Sequence, residues 1–251
     1  MTLNIPDTRQ RELAERLRAG TPLSLSDIAE EFGVSIDTAR RDVIALEASG
    51  LAERVRGGVV PLMPPAAPLR EKLSRQDPGL EPIARAAAGH LASASTILVD
   101  GGQTTLAVAR ALTPRPDLLV ATPSPWVAIA CHEAGIDVHL IGGHLSASGG
   151  IATGTDCSAQ LAALAADVAL LGACGIDADF GLSSDILAES ETKRRMARNA
   201  TRVIVVSAGA KVGRRARHRT LAPEGIDMLV TDAAASNTAA FGAAGIEVHH
   251  A

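Results

Sequence analysis

Apolar residues near the start of the chain recur at helical spacing. In residues 9–19, Leu13 and Leu17 stand four positions apart among charged neighbours, which predicts an amphipathic helix. Gly20 and Pro22 end this helix, and a short extended segment follows. The pattern therefore predicts a first helix that buries one face.

Two more helices are predicted in close succession. Ser26 and Asp27 form an N-cap signal, Gly33 ends this second helix, and Ser35 caps a third over about residues 36–49. The apolar positions are Ile28, Ala29 and Phe32 in the second helix and Ala39, Val43 and Leu46 in the third. Each helix is thus expected to bury one face against its neighbour.

A hairpin completes this part of the chain. Residues 51–62, LAERVRGGVVPL, alternate apolar and polar positions around Gly57-Gly58. Two helices joined by a tight turn and followed by a hairpin form a winged helix-turn-helix, whose second helix enters the major groove of DNA. The candidate DNA-contacting residues are Ser35, Asp37, Thr38, Arg40 and Arg41 on that helix and Arg54 and Arg56 on the hairpin. A helical protein-interaction module is the alternative.

The pattern changes after a proline-rich stretch. Residues 61–82 hold six of the 13 prolines, which predicts a semi-rigid linker between domains at 1–60 and 83–251. Beyond it, Val/Ile/Leu runs alternate with helical segments. The predicted strands are 97–100, 117–122, 136–143, 167–176, 202–211 and 227–232, with a helix at about 236–244. The expected fold class is α/β: an N-terminal winged helix-turn-helix domain joined by a Pro-rich linker to a Rossmann-like, mostly parallel α/β domain.

Glycines and hydroxyl residues follow several predicted strands. Ligands of parallel sheets bind beyond the carboxyl ends of the strands, and a helix N-terminus there favours an anion. The candidate residues at these ends are Asp100, Gly101, Gly102, Gln103, Thr104, Thr105, Thr122, Ser124, Gly142, Gly143 and Lys211. Together they predict a site for a small phosphorylated ligand. The chain lacks G-x-G-x-x-G and G-x-x-x-x-G-K-[ST], so dinucleotide and P-loop sites are not supported.

Composition narrows the function classes. The 251 residues carry a net charge of −4, and no run of 18 apolar residues or apolar leader suggests a membrane or exported protein. Three cysteines without C-x-x-C spacing fit a reducing cytoplasm, where the protein is expected. Residues 1–60 hold eight Arg against ten acidic residues, so DNA binding depends on where the arginines lie. Aromatic residues are 2%, which disfavours recognition by stacking, and no cofactor or metal is expected.

The segment from Leu23 to Gly58 resembles the N-terminal signature of the DeoR family of bacterial repressors. The matching residues are Val34, Ser35, Thr38, Arg40, Arg41, Asp42, Leu46, Glu47, Gly50, Arg54, Arg56, Gly57 and Gly58. Ala39 departs from the pattern, since the family usually has Ile or Val there. The resemblance implies operator DNA as the partner of this domain.

Residues 83–251 resemble the sensor domain of the same family, which is related in fold to ribose-5-phosphate isomerase. The corresponding segments are 100–105, 122–124, 141–143, 172–176 and 181–182, then Glu189 with Lys193, and Lys211. The resemblance adds Cys174, Glu189 and Lys193 to the candidate set and implies a phosphorylated sugar or related metabolite that releases the protein from DNA. The departures are Cys174 for Asp, Ala208-Gly209-Ala210 for Asp-His-Ser, Pro123 for Asn and His144 for Arg. These substitutions remove side chains that could contact the hydroxyl groups of a sugar. The effector is therefore expected to differ from the commonest effector of the family.

The sequence therefore predicts a transcriptional repressor of carbohydrate genes rather than an enzyme. A dimer or tetramer is expected, because one head reads one half-site. The alternatives are a phosphosugar isomerase-like enzyme with a vestigial head, which needs a general base where Cys174 stands, and a DNA-binding protein without an effector.

Several smaller features have less certain roles in the sequence. Cys174 is an inert core thiol or a reactive one, and Glu189 with Lys193 is a surface helix pair or a ligand contact. The arginines of residues 214–219 form a solvated loop, a subunit contact or a lid over the anion site. A zinc site at His144, Cys157 and Cys174 fits no known spacing. His249-His250 is expected to be a solvated tail.

Overall fold

The structure, a computed structural model, describes residues 6–18, 21–49, 51–61, 69–74, 77–146 and 150–251. The predictions that fall on Gly20, Gly50, Pro64, Pro65 and Pro68 lie outside the described residues. Among the described residues, no helix has both the length and the apolar character needed to cross a membrane.

Residues 6–61, here called the head, contain three helices and a small antiparallel sheet. The helices are α1 (Pro6–Arg18), α2 (Leu25–Phe32) and α3 (Ile36–Ala48). The strands are β1 (Leu23–Ser24), β2 (Ala52–Val55) and β3 (Gly58–Pro61), in the order β1-β3-β2. The predicted apolar faces meet in one core, in which Leu13, Ile28 and Val43 are almost fully buried. The predicted order of helices and hairpin is confirmed.

Local caps and turns refine the predicted boundaries. The Oγ of Ser24 accepts a hydrogen bond from the backbone N–H of Asp27 at 3.0 Å, so α2 begins before the predicted cap at Ser26. The predicted cap at Ser35 is confirmed, since its Oγ accepts from the N–H of Thr38. Val55 pairs with Gly58, so the hairpin loop is Arg56-Gly57 rather than Gly57-Gly58. Gly57 takes the loop position at a φ of 87°.

A buried ion pair joins the first and third helices. The Nε of Arg9 on α1 lies 2.6 Å from the Oδ2 of Asp42 on α3, and both side chains are 4% exposed. The Nε2 of Gln10 donates to the other carboxylate oxygen at 3.0 Å. A buried charge is tolerated only when it is paired and hydrogen-bonded. Asp42 therefore fixes the position of α3 from its inner face.

The remaining residues form an α/β unit (residues 69–251). Its helices are α4 (Leu69–Leu73), α5 (Leu80–His90), α6 (Gln103–Ala111), α7 (Pro125–Glu133), α8 (Thr155–Ala162), α9 (Leu187–Arg198) and α10 (Ala235–Ala243). The main strands are β4 (Thr96–Val99), β5 (Leu119–Thr122), β6 (Asp137–Leu140), β9 (Ala166–Gly172), β12 (Ala200–Ser207), β14 (Met228–Thr231) and β15 (Glu247–His250). The minor strands are β7 (His144–Leu145), β8 (Ala152–Thr153), β10 (Gly175–Asp177), β11 (Gly181–Ser184) and β13 (His218–Leu221).

The main strands form one parallel sheet in the order β15-β14-β12-β9-β4-β5-β6. Alternate residues of a strand enter separate cores: Ile97 and Val99 lie on one face, and Leu98 lies on the other. Helices α5, α6 and α7 cover the first face, and α8, α9 and α10 cover the second. The predicted doubly wound α/β fold is confirmed. The predicted strand 167–176 is divided, because β9 ends at Gly172 and β10 begins at Gly175.

Two segments depart from the prediction. The proposed linker contains α4, whose Leu69 is buried, where only a spacer with extended stretches was expected. The prediction of a solvated His249-His250 tail is wrong, since both residues belong to β15, which pairs with β14. A ring nitrogen of His249 lies 3.1 Å from one of His90, and the Nδ1 of His250 lies 2.9 Å from the carbonyl oxygen of Ala233.

Asp42→Ala is expected to loosen the head, because it removes the carboxylate that pairs with the buried guanidinium of Arg9. Removing one partner of a buried pair costs about 3–5 kcal/mol, whereas an exposed pair contributes about 0–1 kcal/mol. Hydrogen exchange of the α1 and α3 amides in the full-length protein measures the effect. The matched control is Asp37→Ala, which removes the exposed pair with Arg40 on the same helix. Equal exchange in the two variants would contradict the structural role of Asp42.

Candidate functional site

The outer face of α3 carries the predicted DNA-contacting residues. Ser35, Asp37, Arg40 and Arg41 are exposed at or near its N-terminal half, and Thr38 is half-buried. Arg54 and Arg56 are exposed on the hairpin. Two apolar residues on this helix that were not predicted to be exposed are Ile36 and Ile44, which are 44% and 43% exposed. The sequence feature that could have identified them is a bulky apolar side chain outside the predicted buried face of the helix.

The four arginines of this surface differ in their partners. The Nη1 of Arg40 lies 2.6 Å from Asp37, and the Nε of Arg54 lies 2.6 Å from Glu47. Arg41 and Arg56 form no ion pair among the residues that the structure describes. These two guanidinium groups are therefore available to a phosphate or a base edge without breaking an internal pair.

A cavity of about 440 Å³ opens at the carboxyl ends of the central strands. The predicted ligand-binding residues that line it are Gly101, Gly102, Gln103, Thr104, Thr105, Cys174, Glu189, Lys193 and Lys211. The lining residues that the sequence analysis did not select are Leu69, Lys72, Gly150, Gly172, Ala173, Asp185, Ile186 and Arg217. The structure thus brings predicted residues from four separate chain segments to one place. Residues 101–105 and Lys211 come from the strand-end argument, whereas Cys174, Glu189 and Lys193 come from the family resemblance.

Asp100 lies behind the cavity rather than on its wall. It is fully buried, and its Oδ2 accepts from the Nζ of Lys193 at 2.8 Å and from the backbone N–H of Gly172 at 2.9 Å. Lys193 also donates to the carbonyl of Gly172 at 2.8 Å and is 4% exposed. Burial opposes the charge on Lys193, but the carboxylates of Asp100 and Glu189 outweigh it and raise the lysine pKa. The reading of Lys193 as part of a surface helix pair is therefore wrong.

The predicted strand-end residues beyond β5 and β6 do not reach the cavity. Thr122 and Ser124 are fully buried, and the hydroxyl of Thr122 donates to the carbonyl of Val99 and accepts from the N–H of Ser124. The N–H of Gly142 donates to Gln160, and Gly143 packs against the backbone of Thr153. Neither pair of residues lines the cavity wall described above.

A close crossing of two loops forms the rim beside α6. A Cβ on Gly101 would lie 2.2 Å from the carbonyl oxygen of Gly150, so glycine is required there. The N–H of Gly150 donates to Glu189 at 3.0 Å. Burial raises the pKa of Glu189, although Lys193 and this hydrogen bond act in the opposite direction. Glu189 is thereby fixed on the cavity wall instead of pointing into solvent.

Three cations of the cavity make no ion pair with the residues that the structure describes: Lys72, Lys211 and Arg217. The Nζ of Lys211 donates to the carbonyl of Ala173 at 3.0 Å, and burial lowers the pKa of this lysine. Lys72 comes from α4, in the segment predicted as linker, and Arg217 comes from the arginine-rich loop. The first N–H groups of α6 lack partners within the helix, so they add to the attraction for an anion.

The arginine-rich loop is only partly solvated. Arg215 pairs with Asp177 at 2.9 Å and lies over the ring of Phe180. Arg217 is exposed and lines the cavity, so this loop reaches the rim of the cavity. Arg214 is partly buried, and burial lowers its pKa.

The three cysteines have different surroundings. Cys131 and Cys157 are fully buried, and burial raises the pKa of Cys131 to about 11. The thiol of Cys157 donates to the carbonyl of Ala152 at 3.3 Å. Cys174 is partly exposed on the cavity wall. Among the described residues, no group of three His, Cys, Asp or Glu side chains is placed to hold a metal ion.

Two domains of known families match this chain. Residues 9–63 match the DeoR-like helix-turn-helix domain, and residues 80–233 match the DeoR C terminal sensor domain. The transcriptional regulator GlpR of Haloferax volcanii is 30% identical over 233 residues, which cover 91% of this chain and 90% of that protein. The glycerol-3-phosphate regulon repressor of Escherichia coli K12 is 30% identical over 227 residues, 90% of each chain. Ribose 5-phosphate isomerase A of Neisseria gonorrhoeae is similar at a TM-score of 0.39 and 12% identity, over 53% of this chain and 52% of that one.

Lys193→Met is expected to lower the free energy of unfolding of the α/β unit by about 3–5 kcal/mol, because it leaves Asp100 buried without its cation. Denaturant unfolding is followed by the fluorescence of Trp126, the one Trp of the chain. Lys72→Met is the control, since Lys72 makes no described ion pair, and it should change stability by less than about 1 kcal/mol.

The ion pair of Asp100 with Lys193 also predicts that the stability of the protein depends on pH. A lysine whose pKa is raised on folding contributes its full stabilisation at any pH below its ordinary pKa of 10.5. This stabilisation is lost as the pH rises above that value. The difference in stability between wild type and Lys193→Met should therefore shrink above pH 10.5. A difference in stability between the two proteins that stays constant above pH 10.5 would contradict the ion pair of Asp100 with Lys193.

Proposed function

The chain belongs to the DeoR family of transcriptional regulators, and on that premise we propose that it represses carbohydrate-metabolism genes under the control of a phosphorylated sugar or related metabolite. The observation that carries the proposal is the presence, in one chain, of an exposed recognition helix and a cation-lined cavity at the end of a parallel sheet. The matched relatives include a named repressor of a glycerol-3-phosphate regulon.

The head binds double-stranded operator DNA through α3 and the hairpin. Arg41 and Arg56 contact phosphates or base edges directly, whereas Arg40 and Arg54 must first exchange their carboxylate partners. Ser35, Asp37 and Thr38 lie at the helix N-terminus, which a helix-turn-helix places against the bases. This local arrangement supports DNA binding although the head as a whole is acidic.

The cavity of the α/β unit binds the phosphate of the effector. The N-terminus of α6 supplies backbone donors, and Lys72, Lys211 and Arg217 supply positive charge without a described carboxylate partner. A volume of about 440 Å³ suits a small sugar phosphate. We propose that the cavity binds this ligand without converting it, which the regulatory relatives support and an isomerase assay of the purified protein would test.

The domain limits and the assembly follow from the same proposal. The two family matches leave residues 64–79 between them, which supports a head at 1–60, a linker at 61–82 and a sensor at 83–251. A dimer or tetramer presents two heads to a palindromic operator, since each head reads one half-site.

Arg41→Ala is expected to weaken operator binding by at least about tenfold, because it removes an exposed cation of the recognition helix. The operator is first selected from a random duplex library with the wild-type protein, and affinity is then measured by gel shift. Arg85→Ala, which removes an exposed arginine of α5, is the control. Equal affinity of the Arg41 variant and wild type would contradict the assignment of α3.

A phosphorylated sugar is expected to raise the melting temperature and to release the operator. A ligand at 100 times its Kd stabilises the native state by about 2.7 kcal/mol. A thermal-shift screen of sugar phosphates, each with its unphosphorylated sugar as control, identifies the ligand, and Lys211→Ala should abolish the shift. The sensing proposal fails if no anionic sugar changes either the melting temperature or DNA binding.

A further inference from the structure

Ile36 is a bulky apolar residue at the polar N-terminus of the recognition helix. It is the first residue of α3, directly after the capping Ser35, and it is 44% exposed. The hydrophobic core of the described head does not include it, and the buried residues of α3 begin at Ala39. A β-branched residue is also a poor helix former, because its side chain has little rotational freedom beside the preceding turn. Neither core packing nor helix formation therefore accounts for an isoleucine here.

The polar side chains next to Ile36 are paired with one another. The hydroxyl groups of Ser35 and Thr38 lie 2.9 Å apart, and the guanidinium of Arg40 lies 2.6 Å from the carboxylate of Asp37. Residues four positions apart are neighbours on a helix surface, so Ile36 adjoins Arg40. The exposed apolar group at this end of α3 thus lies among polar groups that already have partners.

The major groove of DNA offers one apolar group to such a side chain. Among the base edges exposed there, only thymine carries a methyl group, and the N-terminal residues of a recognition helix are those that meet the base edges. An isoleucine at this position gains free energy when it covers a methyl group. If it covered a phosphate or an exocyclic amine instead, it would remove water from a polar group without replacing the hydrogen bond.

Ile44 provides a comparison within the same helix. It has the same side chain and is 43% exposed. It lies eight residues after Ile36, which is about 12 Å along the helix axis. It is therefore in the second half of α3, beyond the N-terminal residues that meet base edges in a helix-turn-helix. The two isoleucines share chemistry and exposure and differ in position.

We propose that Ile36 determines part of the sequence specificity of the head by contacting the 5-methyl group of a thymine in each operator half-site. This contact involves no charge, unlike the contacts of Arg41 and Arg56 with phosphates or base edges. The inference rests on the proposed binding of operator DNA through α3, and it names one base that this helix selects.

The test uses the full-length protein and the operator that it selects from a random duplex library. Each thymine is replaced in turn, in both half-sites, by 2′-deoxyuridine, which lacks the 5-methyl group and keeps the base pair. Affinity is measured by gel shift. At the position that Ile36 contacts, the replacement is expected to weaken binding of the wild type by about tenfold, because one covered methyl group contributes roughly a factor of four in each half-site.

Three variants assign this effect to a side chain. Ile36→Ala is expected to bind the thymine and deoxyuridine operators equally well, whereas Ile36→Val keeps a branched apolar side chain and should keep most of the discrimination. Ile44→Ala is the matched control, since it removes the same side chain at the same exposure, and it should discriminate as strongly as the wild type. The ratio of the two affinities is the readout, so a general loss of affinity does not mimic the result.

The outcomes distinguish this inference from the proposed function. It is overturned if, at every thymine, loss of the methyl group weakens the wild type no more than Ile36→Ala, or if Ile44→Ala alone abolishes the discrimination. It is also overturned if Ile36→Ala changes the oligomeric state in analytical ultracentrifugation and leaves the discrimination intact, which assigns Ile36 to a contact between copies. In these cases operator binding by the head stands. Failure of the wild type to select any duplex overturns both DNA binding and this inference.

Discussion

The arrangement of the cavity depends on the buried ion pair between Asp100 and Lys193. Asp100 directly follows β4 and accepts a hydrogen bond from the backbone of Gly172 at the end of β9, while Lys193 reaches the same point from α9. Taking two charges out of water is costly, so the pair is supported by further hydrogen bonds, from the N–H of Gly172 to the Oδ2 of Asp100 and from Lys193 to the carbonyl of Gly172. The Oδ1 of Asp100 is buried without a hydrogen-bond partner among the described residues. Because Lys193 is paired with Asp100, the cations of the cavity that can pair with a ligand are Lys72, Lys211 and Arg217.

The head follows the same physical rule on a smaller scale. Arg9 and Asp42 fix α3 from its buried side, and other arginines are held on the outside by exposed carboxylates. Buried pairs set the geometry, whereas exposed pairs add little stability and exchange easily for other partners. An acidic head can therefore bind a polyanion, since what matters is which cations remain unpaired at the recognition helix.

The sequence predicts those parts of the fold in which local pattern and burial agree. The Ile97–Val99 run marks a strand covered on both faces, and Ser35 marks a helix start by its own hydrogen bond. It does not reveal that Lys193 is buried, because this burial depends on the contact of α9 with β9. The last strand was missed because an edge strand is half-solvated, so His249 and His250 give it a polar sequence. Helix α4 was hidden because five residues among prolines show no periodicity.

Under the proposed sensing function, helix α4 is the part of the cavity wall through which ligand binding would act on the head. It follows β3 by a few residues, and its Leu69 and Lys72 belong to the cavity wall. A ligand changes DNA affinity only through a difference in its binding free energy between the DNA-bound and free forms. Under the proposed sensing function, an anion that attracts Lys72 acts on α4, which is the segment of the cavity wall nearest to the head in sequence. The cation on α4 is therefore the element of the cavity best placed to make ligand binding depend on the position of the recognition helix.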